Sequence, residues 1–575
     1  MTTTATASNR WRSWSLGALC LVAATLVLHL VLIQPNHPAA MTWGALRIFA
    51  LELPVIVLAL IALPARSILT QCVRAALALS LTVIAALKFA DFLTFTALSR
   101  GFNPVSDLTL IHAAFRLASG TFGEVAAVAL SLGLLAAVVA VAAVLWWATG
   151  VWARLPRPRG VAWGTGALAF GVAVLAIIEI GGLMGRWPLP FNPPGAAFTA
   201  RVGAERVALI RTTLADLRAF DAAAREDAMA GRPGLFARLD RDLIIVYIES
   251  YGRGALDNPR YADRIHATLD AAGPALSDAG LAVRTGWLDA PTRGGQSWLT
   301  HMSLASGMRI DGQSRYAAAL ASNRATLFDH ASAAGLTTVA VMPAITLPWP
   351  ESAAFGFDRV YAAADLGYEG LPFNWVTMPD QFTLHALDTR IRPEASAPIV
   401  AQVALISSHA PWVPVPDILD WNDIGDGSEF DGMATAGDPP EVVWRDRDRV
   451  RTQYGLAVDY ALRVALDWAA RQRDEAPLML ILGDHQPAEF VAGDRRPDVP
   501  AHLIGPAELV DGAASWGWTP GMVPDPSGPV DGMETMRDRL IALVSTAAQR
   551  ADDSASATAA SDASAPVGTD GEVMR

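Results

Sequence analysis

Cysteine is scarce in this sequence, and its positions restrict the metal chemistry open to the protein. The 575 residues contain two cysteines, Cys20 and Cys72, and both lie in or beside apolar segments. The C-terminal half therefore has neither a disulfide nor a thiolate metal site. Any metal bound there must use oxygen and imidazole ligands.

A basic stripe is also lacking. The sequence has 44 Lys and Arg against 56 Asp and Glu, which gives a formal net charge of −12. A nucleic-acid binder neutralises phosphates with clustered basic side chains. The charge distribution therefore argues against nucleic acid as a partner.

Charged residues are rare before about residue 185 and frequent after it. Hydrophobic residues make up 52% of the chain, and the mean hydropathy is +0.31, which is more apolar than an average soluble protein. We therefore predict a membrane half joined to a soluble half. Five apolar stretches, each near the ~20 residues that cross a ~30 Å hydrocarbon layer, cover residues 16–33, 45–63, 73–98, 125–148 and 161–183.

Arginines in the short loops predict the orientation of these spans. Arg10 and Arg12 precede the first span, Arg66 and Arg74 flank the turn after the second, and Arg154 follows the fourth. An excess of basic residues marks cytoplasmic loops. The N-terminus is then cytoplasmic, and five crossings place the soluble half on the periplasmic or extracellular side of a bacterial inner (plasma) membrane.

Several ionisable residues lie in or near the apolar stretches: Glu52, Lys88, Asp91, Glu124 and Glu179. We interpret them as interfacial or paired structural residues, although ionisable groups inside a membrane are often functional. Lys88 and Asp91 are about one helical turn apart and could pair.

The soluble half has the pattern of an α/β domain. Apolar runs at 243–248, 337–341, 399–406, 478–482 and 501–504 alternate with helical segments. This predicts a mostly parallel sheet covered by helices on both faces, with ligands at the carboxyl ends of the strands.

The predicted organisation has four parts. A transmembrane domain of about five helices (1–185) is followed by a juxtamembrane connector (186–240), the extracytoplasmic α/β domain (241–546) and a tail (547–575). The tail is mostly Ala, Ser, Asp and Thr, so it buries too little apolar surface to order itself.

Two predicted strands end in metal-ligand residue types. The first runs into Glu249, and the run at 478–482 leads through Gly483 into Asp484 and His485. A carboxylate at the end of a buried strand is costly unless it is paired or binds a cation. Glu249 alone could be a helix cap or turn residue, but two such strand ends together favour one shared metal site.

A candidate nucleophile lies between these strands. Gly294 and Gly295 allow an unusual turn, and the apolar pattern after Ser297 begins a helix. Ser297 is therefore predicted at a helix N-terminus, which favours an alkoxide and an incoming phosphate. A simple capping serine is the alternative, and Thr292 and Thr300 are rival nucleophiles.

Histidines supply the remaining candidates. The run at 399–406 leads into Ser407, Ser408 and His409, where an imidazole can protonate a leaving group or donate to a phosphoryl oxygen. A buried structural histidine is the alternative. His301, His330 and His502 have no comparable context, and we interpret them as structural.

At these residues the sequence resembles the alkaline phosphatase and sulfatase superfamily. The similar branch is the membrane-anchored one of lipoteichoic acid synthases and phosphoglycerol or phosphoethanolamine transferases. The resemblance covers nearly the whole chain and implies five N-terminal spans followed by an extracellular sulfatase-like domain. It also implies one divalent ion, manganese or zinc, held by Glu249, Ser297, Asp484 and His485, with His409 in the active site.

The resemblance implies a two-step transfer. Ser297 would attack the phosphodiester of a membrane phospholipid and release diacylglycerol, and a glycan, lipid or polymer acceptor would then discharge the phosphoryl-substituted serine. A phosphodiester, phosphate or sulfate ester hydrolase with the same site is the alternative. A catalytically silent domain that only binds glycans or partners is a third possibility, and it predicts a broken ligand set.

Three differences from related enzymes bear on the reaction and on the head group. Ser297 lacks the Cys/Ser-x-Pro/Ala-x-Arg setting of sulfatases, and the soluble half lacks the disulfides of the lipid A type of phosphoethanolamine transferase. In the segment where lipoteichoic acid synthases hold glycerol phosphate with His and Arg, this chain has Trp349 and Glu351. Glu351 could prefer a cationic head group or lie on the surface. We take Trp349, Glu351 and Trp412 as candidate substrate-binding residues.

Overall fold

The structure is a computed structural model that describes residues 4–546 except 99, 109, 110, 112, 113, 116, 117, 120, 121, 157, 190 and 474. The side chains of residues 4–14, 97 and 98 and the whole predicted tail, 547–575, lie outside the described residues. The chain divides into two compact units, Met1–Arg218 and Ala219–Arg575.

Long apolar helices dominate the first unit. Its helices are α1 (Thr4–Ile33), α2 (Glu52–Ala62), α3 (Ile68–Leu98), α4 (Glu124–Ala153), α5 (Arg159–Leu183) and the start of α6 (Phe198–Ala224). By length and composition, α1, α3, α4 and α5 can each cross a membrane. The chain is therefore a membrane protein with four such helices among the residues that the structure describes.

The second predicted span differs from the expectation. Residues 45–63 form a 3₁₀ turn, Ala45–Arg47, and the 11-residue helix α2. At 1.5 Å per residue, α2 is about 17 Å long, which is shorter than the ~30 Å hydrocarbon layer. The Pro-containing turn after it and Glu52 at its start limit its apolar length.

Lys88 and Asp91 each have a partner within the first unit, but they do not pair with each other. Lys88 Nζ donates to Thr199 Oγ1 at 2.6 Å and to the Leu32 carbonyl at 3.1 Å. Asp91 instead forms an ion pair with Arg206.

Two carboxylates meet the start of α6. Glu52 Oε1 accepts from the Ala200 amide at 2.9 Å, and Glu179 Oε2 accepts from the Ala197 amide at 3.2 Å. Negative side chains stabilise the unpaired amides at a helix N-terminus. These contacts agree with a structural reading of the two residues.

The second unit is a nine-stranded sheet between helices. Its strands are β1 (Leu243–Ile248), β2 (Ala282–Asp289), β3 (Thr337–Met342), β4 (Arg359–Ala362), β5 (Ile399–Leu405), β6 (Leu478–Gly483), β7 (Asp498–Gly505), β8 (Thr519–Pro520) and β9 (Val530–Gly532). Its helices are α7 (Arg253–Asp257), α8 (Ala262–Asp278), α9 (Ser297–Ser306), α10 (Gln313–Ala321), α11 (Leu327–Ala333), α12 (Asp380–Ala386), α13 (Asp431–Ala434), α14 (Pro440–Val443), α15 (Arg447–Arg471), α16 (Glu489–Ala492), α17 (Ala507–Val510) and α18 (Thr535–Leu543).

The sheet is mixed but mostly parallel. The strand order is β4-β3-β5-β1-β6-β7-β2-β8, with β9 beside β2. Strands β7 and β8 run against the rest. The predicted run at 501–504 is therefore the middle of an antiparallel strand. Strand β2 was not predicted from the sequence because Arg284 and Gly286 interrupt its apolar pattern.

Both faces of the sheet are covered. Alternate residues of β1 point to opposite sides: Leu243, Ile245 and Tyr247 pack with α9, α10, α11 and α18, whereas Ile244, Val246 and Ile248 pack with α8 and α15. All six residues of β1 are buried. A strand with apolar contacts on both sides reads as a continuous hydrophobic run, which is why the sequence predicts it so well.

Strand order brings the predicted site residues to one edge. β1 is hydrogen-bonded to β5 on one side and to β6 on the other, and Ile248 is level with both Leu405 and Gly483. Because all three strands are parallel, the residues that follow Ile248, Leu405 and Gly483 emerge next to one another. The loops after these three strands form the candidate site.

Candidate active site

Glu249 is the first residue beyond β1, and it is held in place by its neighbours. Its amide donates to the Leu405 carbonyl at 3.2 Å, and its side chain is buried. Ser250 turns the chain with φ +58° and donates its Oγ to Glu249 Oε1 at 2.9 Å. The tight turn thus directs a carboxylate across the sheet edge instead of out into solvent.

Asp484 is oriented by backbone amides. Its Oδ1 accepts from the Ser250 amide at 2.8 Å and from the His485 amide at 2.6 Å, so Oδ2 is the oxygen left for another partner. Gly483 is required here because a Cβ at this position would lie 1.8 Å from the Tyr251 carbonyl oxygen. This close approach explains the glycine before the Asp-His pair.

His485 presents one free nitrogen to the cluster. Its Nδ1 lies 2.9 Å from the Gln486 carbonyl and can only donate to it, so the proton is assigned to Nδ1. Its Nε2 is buried, has no hydrogen-bond partner among the described residues, and lies 3.2 Å from Glu249 Oε1 and 3.7 Å from Asp484 Oδ2. A buried lone pair without a partner is costly.

These three residues fit a divalent cation. One ligand atom from each of Glu249, Asp484 and His485 lies within 4.8 Å of the others, and all three side chains are buried. Two carboxylates and one imidazole suit manganese or zinc. The unpartnered His485 Nε2 is the atom that such an ion would satisfy.

The cluster's charges are strongly coupled. Burial opposes ionisation of Glu249, but His485 outweighs it and lowers the pKa of Glu249. Burial and the neighbouring Glu249 raise the pKa of Asp484. Burial lowers the affinity of His485 for a proton, yet the two carboxylates raise its pKa overall. Without a cation, a proton on His485 and the raised pKa of Asp484 offset the buried negative charge of the cluster.

Ser297 meets this cluster at the start of α9. The chain before it is strongly turned, with φ of +70° at Gly294, +133° at Gly295 and +68° at Gln296. Ser297 is then the first residue of the helix, and its Oγ donates to Glu249 Oε2 at 3.1 Å. A capping serine bonds its own helix amides, whereas this hydroxyl reaches a ligand carboxylate.

The rival hydroxyls point elsewhere. Thr292 Oγ1 donates to the Gly295 carbonyl inside the turn. Thr300 is fully buried, and its Oγ1 has no hydrogen-bond partner among the described residues. Ser297 is the half-buried hydroxyl beside the carboxylates.

Hydrogen bonds with Asp380 hold the loop after β5 in place. Asp380 Oδ1 accepts from the amides of Ile406 at 2.7 Å and Ser407 at 2.8 Å, and Ser407 Oγ accepts from the Asp380 amide at 2.9 Å. Ser408 Oγ donates to the Glu249 carbonyl at 2.6 Å. These contacts tie the His409 loop to the end of β1.

His409 lies close enough to Glu249 to act on it electrostatically. Its charge lowers the pKa of Glu249, as that of His485 does more strongly. Its Nδ1 is 2.6 Å from the Ala410 carbonyl, and the edge of its ring packs on Trp375 with centroids 4.0 Å apart. Trp375 is half exposed.

Sequence reasoning missed Trp375, Asp380, Ser250 and Ser408. Ser250 and Ser408 could have been suspected because each adjoins a predicted site residue. No local pattern connects Trp375 or Asp380 with His409, since their contacts form only when the chain folds.

The three predicted substrate-binding residues are not gathered at the cluster. Trp412 is buried; its Nε1 donates to the Ser408 carbonyl at 2.7 Å, and its ring stacks on Trp444. Trp349 packs on Phe355, and Glu351 is exposed. No contact of these three with the ligand carboxylates is found among the described residues.

Two of the other histidines have ordinary partners. His330 Nε2 lies 3.2 Å from Asp227 Oδ2. His502 lies 3.2 Å from the Tyr251 hydroxyl and 3.0 Å from the Thr285 hydroxyl. His301 differs, because it is buried and its Nε2 has no partner among the described residues.

No protein-family model matches the chain, and a search of curated proteins gives no match. Solved structures do match. The lipooligosaccharide phosphoethanolamine transferase EptA from Neisseria meningitidis, an integral membrane protein, is 12% identical, with 91% of this chain and 95% of that chain covered and a TM-score of 0.40.

Two further structures cover a little more than half of this chain. The lipoteichoic acid synthase LtaP from Listeria monocytogenes is 15% identical, with 58% and 79% of the two chains covered and a TM-score of 0.35. The phosphoglycerol transferase GacH from Streptococcus pyogenes, in complex with sn-glycerol-1-phosphate, is 12% identical, with 52% and 74% covered and a TM-score of 0.32.

Proposed function

We propose that this chain transfers a phosphorus-containing head group, phosphoglycerol or phosphoethanolamine, from a membrane phospholipid to an extracytoplasmic acceptor through a covalent Ser297 intermediate. One observation carries the proposal: the Ser297 hydroxyl lies 3.1 Å from a carboxylate of a buried three-residue ligand cluster, at the first turn of a helix. A domain that only binds partners has no need of this arrangement.

Ser297 acts as the nucleophile. Its Oγ forms a bond to the phosphorus of the donor, the bond from phosphorus to the diacylglycerol oxygen breaks, and the hydroxyl proton is held at Glu249 Oε2. The free amides of the first turn of α9 face the incoming phosphoryl oxygens. An acceptor hydroxyl then attacks the same phosphorus, and its proton replaces the one that His409 gave to the diacylglycerol oxygen. The bond from phosphorus to Ser297 Oγ breaks, and Ser297 takes back the proton held at Glu249.

His409 serves the leaving group. Its Nδ1 donates to the Ala410 carbonyl and its ring packs on Trp375, so the charged imidazole, which carries a proton on each nitrogen, presents Nε2 to donate to a phosphoryl oxygen or to protonate the departing diacylglycerol oxygen. Trp375 is half exposed beside it and offers an apolar surface to the head group or glycerol backbone.

Glu249, Asp484, His485 and the Ser297 oxygen would hold one divalent ion, manganese or zinc. When bound, such an ion lowers the pKa of the serine hydroxyl and neutralises charge on the phosphoryl oxygens. The amides on Asp484 Oδ1 and the carbonyl on His485 Nδ1 fix the direction of the ligand atoms.

Lipid substrates agree with the membrane part of the chain. Four helices long and apolar enough to cross a bilayer anchor the enzyme in the layer that contains its donor. We propose the transmembrane domain at 1–185, the connector at 186–240 and the catalytic domain at 241–546. We also propose a cytoplasmic N-terminus and an extracytoplasmic catalytic domain.

Turnover of labelled lipids tests the proposal. The purified full chain in mixed micelles with manganese or zinc is expected to release diacylglycerol from phosphatidylglycerol or phosphatidylethanolamine, and Ser297→Ala should lower the rate by a factor on the order of 10³ or more. Thr292→Val and Thr300→Val are matched controls that remove the rival hydroxyls, and they should keep most of the activity.

The fate of the head group separates transfer from hydrolysis. A transferase leaves the label on Ser297 when no acceptor is present, and the labelled chain can be isolated. A hydrolase releases free glycerol phosphate or phosphoethanolamine at the same rate as diacylglycerol. Unchanged activity in Ser297→Ala contradicts the nucleophile assignment in either case.

A further inference from the structure

His301 lies one helical turn beyond Ser297, on the same face of α9. Residues four apart on a helix are about 6 Å apart along its axis, and residues two apart on a strand are about 6.6 Å apart. The spacing between Ser297 and His301 on α9 is therefore close to the spacing between Glu249 and Tyr247 at the end of β1. Both contacts are made: Ser297 Oγ donates to Glu249, and the rings of His301 and Tyr247 lie 4.1 Å apart.

The contact between His301 and Tyr247 helps to position Ser297 against Glu249. A helix that touches a strand at one point can slide or rotate about it. The contact between the tilted rings of Tyr247 and His301 supplies a second point, one turn behind the nucleophile, and both side chains are almost fully buried. Together with the apolar packing of α9 on β1, this contact holds the position of α9 along the strand and hence the distance from Ser297 to Glu249.

The polar atoms of this pair are not used by other residues. His301 Nε2 and Tyr247 Oη are both buried without a hydrogen-bond partner among the described residues, as is Thr300 Oγ1 beside them in the chain. Native proteins leave few buried polar atoms unpaired, and a buried water usually accounts for groups of them. The atoms of His301 and Tyr247 belong to two touching rings and point to an internal hydration site there.

His502 provides the contrast. It is fully buried too, and its ring stacks on that of Tyr251, three residues beyond β1, with centroids 6.0 Å apart. Both of its ring nitrogens have hydroxyl partners, from Tyr251 and Thr285. His502 is a satisfied core histidine, whereas His301 has a free nitrogen next to the ligand cluster.

The cluster lies within electrostatic reach of this nitrogen. Burial lowers the pKa of His301 to about 4, Glu249 raises it and His485 lowers it further. Asp484 adds to the effect of burial in raising the pKa of Tyr247. The imidazole is therefore a neutral group that can either give or take a hydrogen bond.

We propose that His301 is a positioning residue for this site: it holds α9 against β1 through Tyr247, and its free Nε2 supports Glu249 through a buried water. This inference rests on the proposed metal and nucleophile roles of the cluster and Ser297. Groups that support metal ligands without touching the ion commonly change metal affinity by roughly 10- to 100-fold when removed.

Metal titration tests the inference without any lipid. His301→Phe keeps a flat ring on Tyr247 but deletes the nitrogen, so the full-length protein should bind manganese or zinc at least about tenfold more weakly. Its thermal stability in a metal chelator should be unchanged or higher, because an unpaired buried polar atom is gone. His301→Gln, which restores a polar group, should recover part of the metal affinity.

His502→Phe is the matched control. It loses two hydrogen bonds, so its melting temperature should fall, while its metal affinity in the folded state should stay as in the unsubstituted chain. Unchanged metal affinity in His301→Phe would overturn the inference. Metal binding by the unsubstituted chain with no turnover of any lipid would instead overturn the proposed function.

Discussion

At the scale of single residues, the decisive feature is two buried carboxylates that share one imidazole. Glu249 and Asp484 repel each other in a site that solvent barely reaches, and the repulsion is relieved by protons when no cation is bound. Such a cluster destabilises the metal-free protein and raises its affinity for a cation. The loss of stability and the gain in affinity can be measured separately.

The substitution Asp484→Asn separates the effect of the cluster on stability from its effect on metal affinity. Removing one of the two acids should leave the melting temperature in a metal chelator equal to or above that of the unsubstituted chain. The unsubstituted chain should be stabilised by manganese or zinc, by about 2.7 kcal/mol when the free ion is at 100 times its dissociation constant. Asp484→Asn should show little of this stabilisation in the same thermal-shift series.

Asp498→Asn is a useful comparison because Asp498 is buried and pairs with Arg253 away from the cluster. It should lower stability with and without metal. If Asp484→Asn responded to metal as the unsubstituted chain does, Asp484 would not be a ligand.

At the scale of elements, the loop after β5 depends on a buried carboxyl behind it. Asp380 is fully buried, and one of its oxygens, Oδ2, has no hydrogen-bond partner among the described residues. Burial raises the pKa of Asp380 to about 6, against the lowering effect of the amides of Ser407 and Ile406. The folded loop therefore favours the protonated form more than the unfolded chain does.

The sign of the pH effect follows from this shift. The pKa in the folded state exceeds that in the unfolded chain, so the contribution of Asp380 is complete below the unfolded value, near 4, and is lost as pH rises through about 6. A shift of this size corresponds to at most about 3 kcal/mol. Asp380→Asn, which cannot ionise, should become more stable than the unsubstituted chain above pH 6.

Melting temperatures of the two proteins in a metal chelator, measured from pH 4 to pH 8, check this expectation. The difference should change between these limits and then level off. A difference that is the same at all pH values would show that folding does not raise the pKa of Asp380.

At the scale of the whole molecule, the open question is how many times the chain crosses the membrane. With an extracytoplasmic catalytic domain, five crossings put the N-terminus inside and the segment before α2 outside. Four crossings, in which the 11-residue α2 does not span, exchange these two locations. The catalytic domain keeps the same side in both arrangements.

Cysteine labelling decides between them, because the two native cysteines, Cys20 and Cys72, can be replaced by serine. In that background we expect a membrane-impermeant maleimide on intact cells to label Ala436→Cys and Ala40→Cys but not Ser8→Cys. Labelling of Ser8→Cys with a protected Ala40→Cys would support four crossings. A protected Ala436→Cys would contradict an extracytoplasmic catalytic domain.

The sequence alone determined the features that depend on local pattern. Continuous apolar runs located β1, β3, β5 and β6 to within a residue or two, because strands buried on both faces need them. The same runs showed that Glu249, His409, Asp484 and His485 follow strand ends. Long apolar stretches predicted the four helices that can span a membrane, since hydrocarbon admits little else.

Only the tertiary structure decided which of these ends meet. Strand order is not encoded locally, so the placement of β1 between β5 and β6 had to come from the fold, as did the antiparallel direction of β7. The contacts of Ser297 with Glu249, Trp375 with His409 and His301 with Tyr247 join residues far apart in the chain. Such contacts depend on how helices pack on the sheet, and packing is a property of the whole molecule.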